Sequence, residues 1–426
     1  MVFVSISETV EPCNKLDPFY LEAKKAIEIT KRFISDRGLV CYGGTALDYS
    51  MRLRGSKIYD DSKLDLPDLD FYSLDPVKDA SDLSDILFEN GFSEARMIGA
   101  VHVGTFRVDA GFNHFIADVS YCPILQELRT LKYESFLVVD PVYQRLDVHS
   151  SLSFPYDNAP REVIFDRWKK DVERFNMFNE VYPLDSGDDD GDKNNSESKV
   201  EKEYSLELGF VYTGSIGYDI FMDRATLGDG IKTKTEVIEI CSKSPEEDIQ
   251  ENDLVLVAEY ESYFNLLPKM YFVKDKKEDR KMIIYSTEHK LLSREIKEIS
   301  GKKYRIACTN YTSKIILGWT LVLDRSWPWL PDHASNGDKE KKKGISMYNA
   351  LLRISRLSIE TYGYENIDHN SLMKMDDIMS NIEKRKKSED FILPQNYKSK
   401  TKNRLEELFD YRKNILLRVR GDRIEN

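Results

Sequence analysis

"LPDLDFYS", residues 66–73, sets two aspartates one residue apart inside an apolar, aromatic run. In an extended strand successive side chains alternate faces, so Asp68 and Asp70 point one way while Leu69 and Phe71 point the other. Like charges that close repel, and strands disfavour aspartate in general. Solvent on an exposed face, a basic neighbour, or a divalent cation held between the carboxylates can offset that cost.

The flanking sequence reads as alternating helices and strands. "FYLEAKKAIEITKRFISDRG" (19–38) carries apolar residues at helical spacing and a glycine that can end the helix. "LVCYGG" (39–44) then reads as a short buried strand running into a double-glycine turn, and "TALDYSMRLR" (45–54) as a helix opened by Thr45. After the aspartate strand, "DPVKDASDLSDILFENG" (75–91) predicts a helix with Asp75 as cap, Pro76 at its first position and Gly91 at its end. Strand-like runs follow at "ARMIGAV", "VGTFRVDA" and "HFIADVSY" (114–121). Helices mixed with strands, some joined as hairpins, predict an α/β (α+β) unit with a mixed sheet.

The 426 residues are enough for two or three domains with real cores. A composition 41% hydrophobic and 32% charged reads as soluble and globular, with no apolar run near the roughly 18 residues of a membrane helix. The start, "MVFVSISETVEP", lacks the pattern of a signal peptide. The five cysteines (13, 41, 122, 241, 308) show no CxxC spacing, which points to a reducing compartment and away from a disulfide framework or cysteine zinc site. Six isolated histidines argue against an imidazole metal centre. The net charge of −12 is unevenly spread: residues 1–200 carry 23 Lys+Arg against 36 Asp+Glu, residues 270–426 carry 33 against 23. A polyanion would dock on the basic C-terminal half. Two polar stretches, "PLDSGDDDGDKNNSESKVEKE" (183–203) and "HASNGDKEKKKG" (333–344), read as linker and loop.

Past the first of these the chain echoes itself. "YGGTALDYSM" (42–51) is answered by "YTGSIGYDIFM" (212–222). With Gly44 set against Gly214 and a slip of one residue, "DLDFYSLDP" falls on "VIEICSKSP" (237–245), Asp68 on Val237 and Asp70 on Glu239. "KMIIYSTE" (281–288) then puts Tyr285 in the place of Asp118. The second copy keeps the scaffold and loses the carboxylate set, with Glu239 alone standing where an acid was.

Three features line up in the first copy: a strand ending in Gly43-Gly44-Thr45, the Asp68-x-Asp70 strand, and Asp118 on a third strand. Each alone is commonplace; together they supply what phosphoryl transfer needs. Oxygen ligands from several carboxylates hold two magnesium ions about 3.5–4 Å apart, and those ions relieve the aspartate repulsion. A glycine turn feeding a helix offers backbone N–H groups to a polyphosphate, and Thr45 adds a hydroxyl.

That combination resembles the polymerase-beta type of nucleotidyltransferase. Closer still, "CYGGTALDYSM", "DLPDLDFYS", "GTFRVDAGFNHFIADVSYCP", "VYQRLDVHSSLSFP" and "RWKKDVERFNMFNEVYP" resemble the poly(A) polymerase catalytic subunit of large DNA viruses, best over residues 35–182. The gap from Gly44 to Asp68 is longer than is usual in the wider superfamily. The resemblance implies two nucleotidyltransferase-like lobes with mixed sheets, the second degenerate. The polar stretch and the charge balance set the bounds: a catalytic domain at 1–183, an acidic linker at 184–202, which the family does not lead one to expect, and a degenerate domain with a basic RNA-binding surface at 203–426. It implies that Asp68 and Asp70 hold both metals (Mg2+ or Mn2+). Asp118 would ligate the catalytic metal and activate the RNA 3′-hydroxyl, while Gly43, Gly44 and Thr45 cradle the ATP phosphates. It implies ATP and an RNA 3′ end as partners, a homodimer as in giant-virus members or a methyltransferase partner as in poxvirus members, no membrane, and a site in the virion or the virus factory of the host cytoplasm. A different nucleotidyltransferase and a non-catalytic RNA-binding scaffold are the rival readings.

Other residues read as structural. Arg145 and Asp147 could serve substrate, but read better as pinning a strand to the helix that follows, and His102, His114 and His149 read as satisfied histidines. Trp168, Val172, Phe175 and Phe178 form a core stripe, with Lys169, Lys170 and Asn176 as candidates to reach a nucleotide. Residues 401–423 read as an amphipathic helix with Leu405, Leu408, Phe409 and Leu416 facing in.

Overall fold

A computed structural model describes residues 18–59, 66–100, 104–111, 115–153, 164–185, 202–204, 210–222, 226–227, 231–233, 235–262, 264, 266–276, 279–287, 294–299, 302–322, 327–334 and 338–361. His102, His114, the acidic stretch 186–200 and the 401–423 segment lie outside these. The described residues pack into two units that divide between Gln144 and Arg145.

The first unit starts with α1 (Pro18–Arg37), β1 (Val40–Tyr42), α2 (Gly43–Arg52), β2 (Leu69–Ser73) and α3 (Pro76–Glu89). It continues with β3 (Arg96–Gly99), β4 (Thr105–Asp109), β5 (Phe115–Tyr121), β6 (Thr130–Tyr133) and β7 (Phe136–Val139). The punctuation expected around α3 is present: Asp75 accepts a hydrogen bond from Lys78 N, Pro76 opens the helix, and Gly91 follows it at φ 99°. The strands form one sheet in the order β3-β4-β5-β2-β1-β7-β6. β2 runs parallel to β5 and antiparallel to β1. Leu69 and Phe71 sink into a core with Cys41, Val119, Val138 and the α1 residues Phe33 and Ile34, which leaves the alternate β2 residues to the other face. Arg37 bonds Asp79 at 2.6 Å and Asp82 at 2.8 Å, tying α1 to α3.

α4 (Pro141–Ser153) crosses the division between the units. Arg145 and Asp147 therefore sit on a helix and not on the expected strand. Pro141 presets the first turn, and Asp140 accepts from Val142 N at 2.8 Å. The second unit continues with α5 (Ile164–Val181), where Val172, Phe175 and Phe178 are buried as the stripe predicts. β8 (Lys202–Tyr204), β10 (Thr226–Leu227) and β11 (Ile231–Thr233) form a small sheet. The main elements are β9 (Val211–Tyr212), α6 (Gly214–Phe221), β12 (Val237–Ser242), α7 (Pro245–Glu251), β13 (Leu254–Tyr260), β14 (Met270–Asp275) and β15 (Lys281–Ser286). β16 (Arg294–Ile299), β17 (Lys302–Ala307), α8 (Thr309–Leu321) and α9 (Asp338–Thr361) complete it. Residues 338–344, expected as loop, are the first turns of α9, because lysine and glutamate are good helix formers.

The second sheet runs β13-β14-β15-β12-β9-β17-β16. Strand for strand, in order and in direction, it repeats the first. The repeat extends to the turn after β2. Ser73 Oγ accepts from Asp75 N ahead of Pro76, and Ser242 Oγ accepts from Ser244 N ahead of Pro245. Two details differ from the sequence alignment. Gly214 takes the place of Gly43, since each opens its helix at positive φ against a carboxylate. In the β12–β15 register Glu239 lies opposite Ile283, which therefore occupies the Asp118 position; Tyr285 stands two residues further on. Four cysteines (Cys41, Cys122, Cys241 and Cys308) are buried and free.

Candidate active site

Parallel pairing of β2 with β5 sets Asp70 directly opposite Asp118, on neighbouring strands roughly 4.8 Å apart. Paired positions share a sheet face, so the two carboxylates stand side by side. Asp68 lies just ahead of β2 with its side chain exposed. Its carbonyl accepts from Thr45 Oγ1 at 2.8 Å, which spends the threonine hydroxyl on tying the start of α2 to the aspartate strand. Gly43 closes the other side. Its φ is 71°, and a Cβ there would overlap the Asp70 carboxylate, so only glycine permits this approach. The first amides of α2, those of Gly43, Gly44 and Thr45, begin beside the acidic pair.

Several residues of this face carry no motif in the sequence. Arg107 on β4 pairs with Asp118 and forks onto it, Nε to Oδ1 at 2.7 Å and Nη2 to Oδ2 at 2.6 Å. These hydrogen bonds, opposed by partial burial and joined by the charges of Asp118, Asp68 and Asp70, raise the guanidinium above its ordinary pKa. An arginine between Phe106 and Val108 in the strand-like "TFRVDA" was the available signal. Tyr42 stacks on Tyr72 with centroids 4.1 Å apart, and its hydroxyl meets Ser120 Oγ at 2.6 Å; Ser120 in turn meets Thr105 Oγ1 at 2.7 Å. Asp48 on α2 bonds Arg52 and the backbone N–H groups of Ile58 and Tyr59, fixing the chain as it leaves the helix. Burial, helped by the charge of Asp70, pushes the Cys41 thiol up to about 12, so it stays a neutral core group.

The donor chemistry suits Mg2+ or Mn2+, which favour carboxylate oxygens. Arg107 already engages both oxygens of Asp118, and among the described residues no three His, Cys, Asp or Glu side chains form a ready metal cage. His149, as expected, is structural: it is buried, bonded to Asn310 and Tyr348, and desolvation lowers its pKa to about 3.

The corresponding place in the second unit is sealed. Glu239 is fully buried; it accepts from Ser215 N and Tyr285 OH, each at 2.7 Å. Trp319 Nε1 donates to Tyr285, and His333 Nδ1 lies 2.8 Å from Ser215 Oγ. Burial pushes Glu239 up to about 8 and His333 down to about 3, so the two face each other uncharged.

A glycine turn opening a helix, an aspartate strand against it and a further aspartate in register on the next strand make up the nucleotidyltransferase arrangement. The comparisons with known proteins narrow that class. Residues 28–158 match the family model for the poly(A) polymerase catalytic subunit. An African swine fever virus protein (isolate Tick/Malawi/Lil 20-1/1983) with the provisional name poly(A) polymerase catalytic subunit is 41% identical over 166 residues, 38% of this chain and 34% of the relative. A protein of Acanthamoeba polyphaga mimivirus with the same provisional name is 29% identical over 183 residues, 42% of this chain and 30% of the relative. The chain thus spans about a third of the length of the curated relatives it matches. The crystal structure of the Megavirus polyadenylate synthase superposes with a TM-score of 0.59 at 21% identity, over 84% of this chain and 73% of that one, and shares the fold. Over its N-terminal region the chain is similar to the poly(A) polymerase catalytic subunits of large DNA viruses.

Proposed function

We propose that the protein transfers adenylate from ATP to the 3′ end of RNA. The observation that carries this is the register of Asp70 with Asp118 beside the Gly43 turn, within the stretch that matches the family model. In this reading the amides of Gly43, Gly44 and Thr45 receive the triphosphate and keep its α-phosphorus over the acidic face. Asp118 draws the proton from the RNA 3′-hydroxyl. The 3′-oxygen bonds to the α-phosphorus, the bond from that phosphorus to the β-bridging oxygen breaks, and pyrophosphate leaves. Asp68, Asp70 and Asp118 would hold Mg2+ or Mn2+, which when bound neutralises phosphate charge and acidifies the attacking hydroxyl. The basic excess of residues 270–426 supports a role in holding RNA. The homodimer that the resemblance implies belongs to the same proposal and is checked by analytical ultracentrifugation.

Primer extension with each of the four nucleoside triphosphates tests the reading. ATP should be incorporated in preference to the others, and Asp70→Ala or Asp118→Ala should reduce incorporation by about 1000-fold or more while RNA binding persists. Equal use of all four nucleotides would point to another nucleotidyltransferase. RNA binding without incorporation would point to a scaffold.

A further inference from the structure

We infer that Arg107 is a built-in competitor for the divalent-cation site, so that the ion enters together with a triphosphate and not alone. This rests on the nucleotidyltransferase reading and goes beyond it by assigning a residue and an order of binding.

The guanidinium engages both oxygens of Asp118, the oxygens a divalent ion would need. It also feels the charges of Asp68 and Asp70, so it neutralises a cluster that would otherwise repel itself. A second cation arriving at the same carboxylate meets that positive charge. Arg107 is able to yield: its side chain is 31% exposed, against 13% for Asp118, and its remaining hold is the Phe115 ring, 4.6 Å away. A triphosphate offers the released fork an equivalent anion, since guanidinium binds phosphate and carboxylate alike.

The second unit shows that the arginine belongs to the acid and not to the scaffold. The sheet there keeps the same strand order and directions. Ile283 stands at the position of Asp118, and Phe272, its partner on β14, stands at the position of Arg107. Where the acid is absent the arginine is absent too, and the sheet still forms.

Direct Mn2+ binding to the full chain, followed by electron paramagnetic resonance with and without a non-hydrolysable ATP analogue, tests this. For the wild type the analogue should tighten Mn2+ binding by about tenfold or more. Arg107→Gln should bind Mn2+ alone about tenfold tighter than the wild type, with a smaller further gain from the analogue. Arg107→Lys, which keeps the charge but not the fork, should fall between the two. If Arg107→Gln does not fold by circular dichroism, Arg107→Lys must still bind Mn2+ more tightly than the wild type. Unchanged or weaker Mn2+ binding in the folded variants overturns the inference and makes Arg107 a clamp that orients Asp118. A wild type that binds no Mn2+ under either condition overturns the nucleotidyltransferase reading itself.

Discussion

A side chain at position 43 would have to pass through the carboxylate of Asp70, and the backbone there is already left-handed at φ 71°. Gly43→Ala therefore combines strain with displacement of a site residue. We expect a loss of about 1–3 kcal/mol in a urea melt, and incorporation down by about 100-fold from misplacement of the acid. The same reasoning shows which residues were legible in the sequence. Asp70, Asp118 and Gly43 are legible only as a set, because a glycine turn, an aspartate strand and a further strand aspartate are each commonplace alone and point to one chemistry together. Arg107, Tyr42 and Ser120 are not legible, because each is ordinary until its partner across the sheet is known.

Strand register was the unreadable quantity at the next scale. β4 and β5 pair with a shift between Val108 and Asp109, so counting outward from a turn misplaces Arg107 relative to Asp118. Helix punctuation was readable where it is chemical, as at Asp75 and Pro76. The same Asp-Pro signal stands unread at Asp140-Pro141, where the 141–153 helix starts, and at 338–344 a helix begins inside a stretch that reads as polar loop. The α3 cap offers a control for activity assays. Asp75→Ala removes the bond to Lys78 N and should cost about 1 kcal/mol in thermal melting. Incorporation should be unchanged, since Leu69 to Ser73 keep their pairing with β5.

The molecule builds one sheet topology twice and finishes the two copies differently: one leaves its acids partly exposed, and the other buries a single glutamic acid under Tyr285, Trp319 and His333. The repeat was visible in the sequence as a glycine turn and a Ser-x-x-Pro spacing. Its alignment slipped because the spacer between glycine and carboxylate differs in length between the copies. The buried acid has a pH signature. Glu239 titrates near 8 when folded, above its ordinary 4.5, so the folded state holds the proton more tightly. That stability is complete below about pH 4.5 and fades as pH rises toward 8. Glu239→Gln, which keeps one acceptor oxygen for Ser215 N or Tyr285 OH and removes the titrating group, should abolish the decline, worth a few kcal/mol in urea melts compared at pH 5 and pH 8.

The buried thiols give each copy its own clock. Cys41 lies on the strand beside Asp70, and Cys241 follows two residues after Glu239, both sealed from solvent and held protonated by burial. An alkylating reagent can label either one only during an opening of its own sheet, so mass spectrometry of the labelled peptides times the breathing of the two halves independently in a single sample.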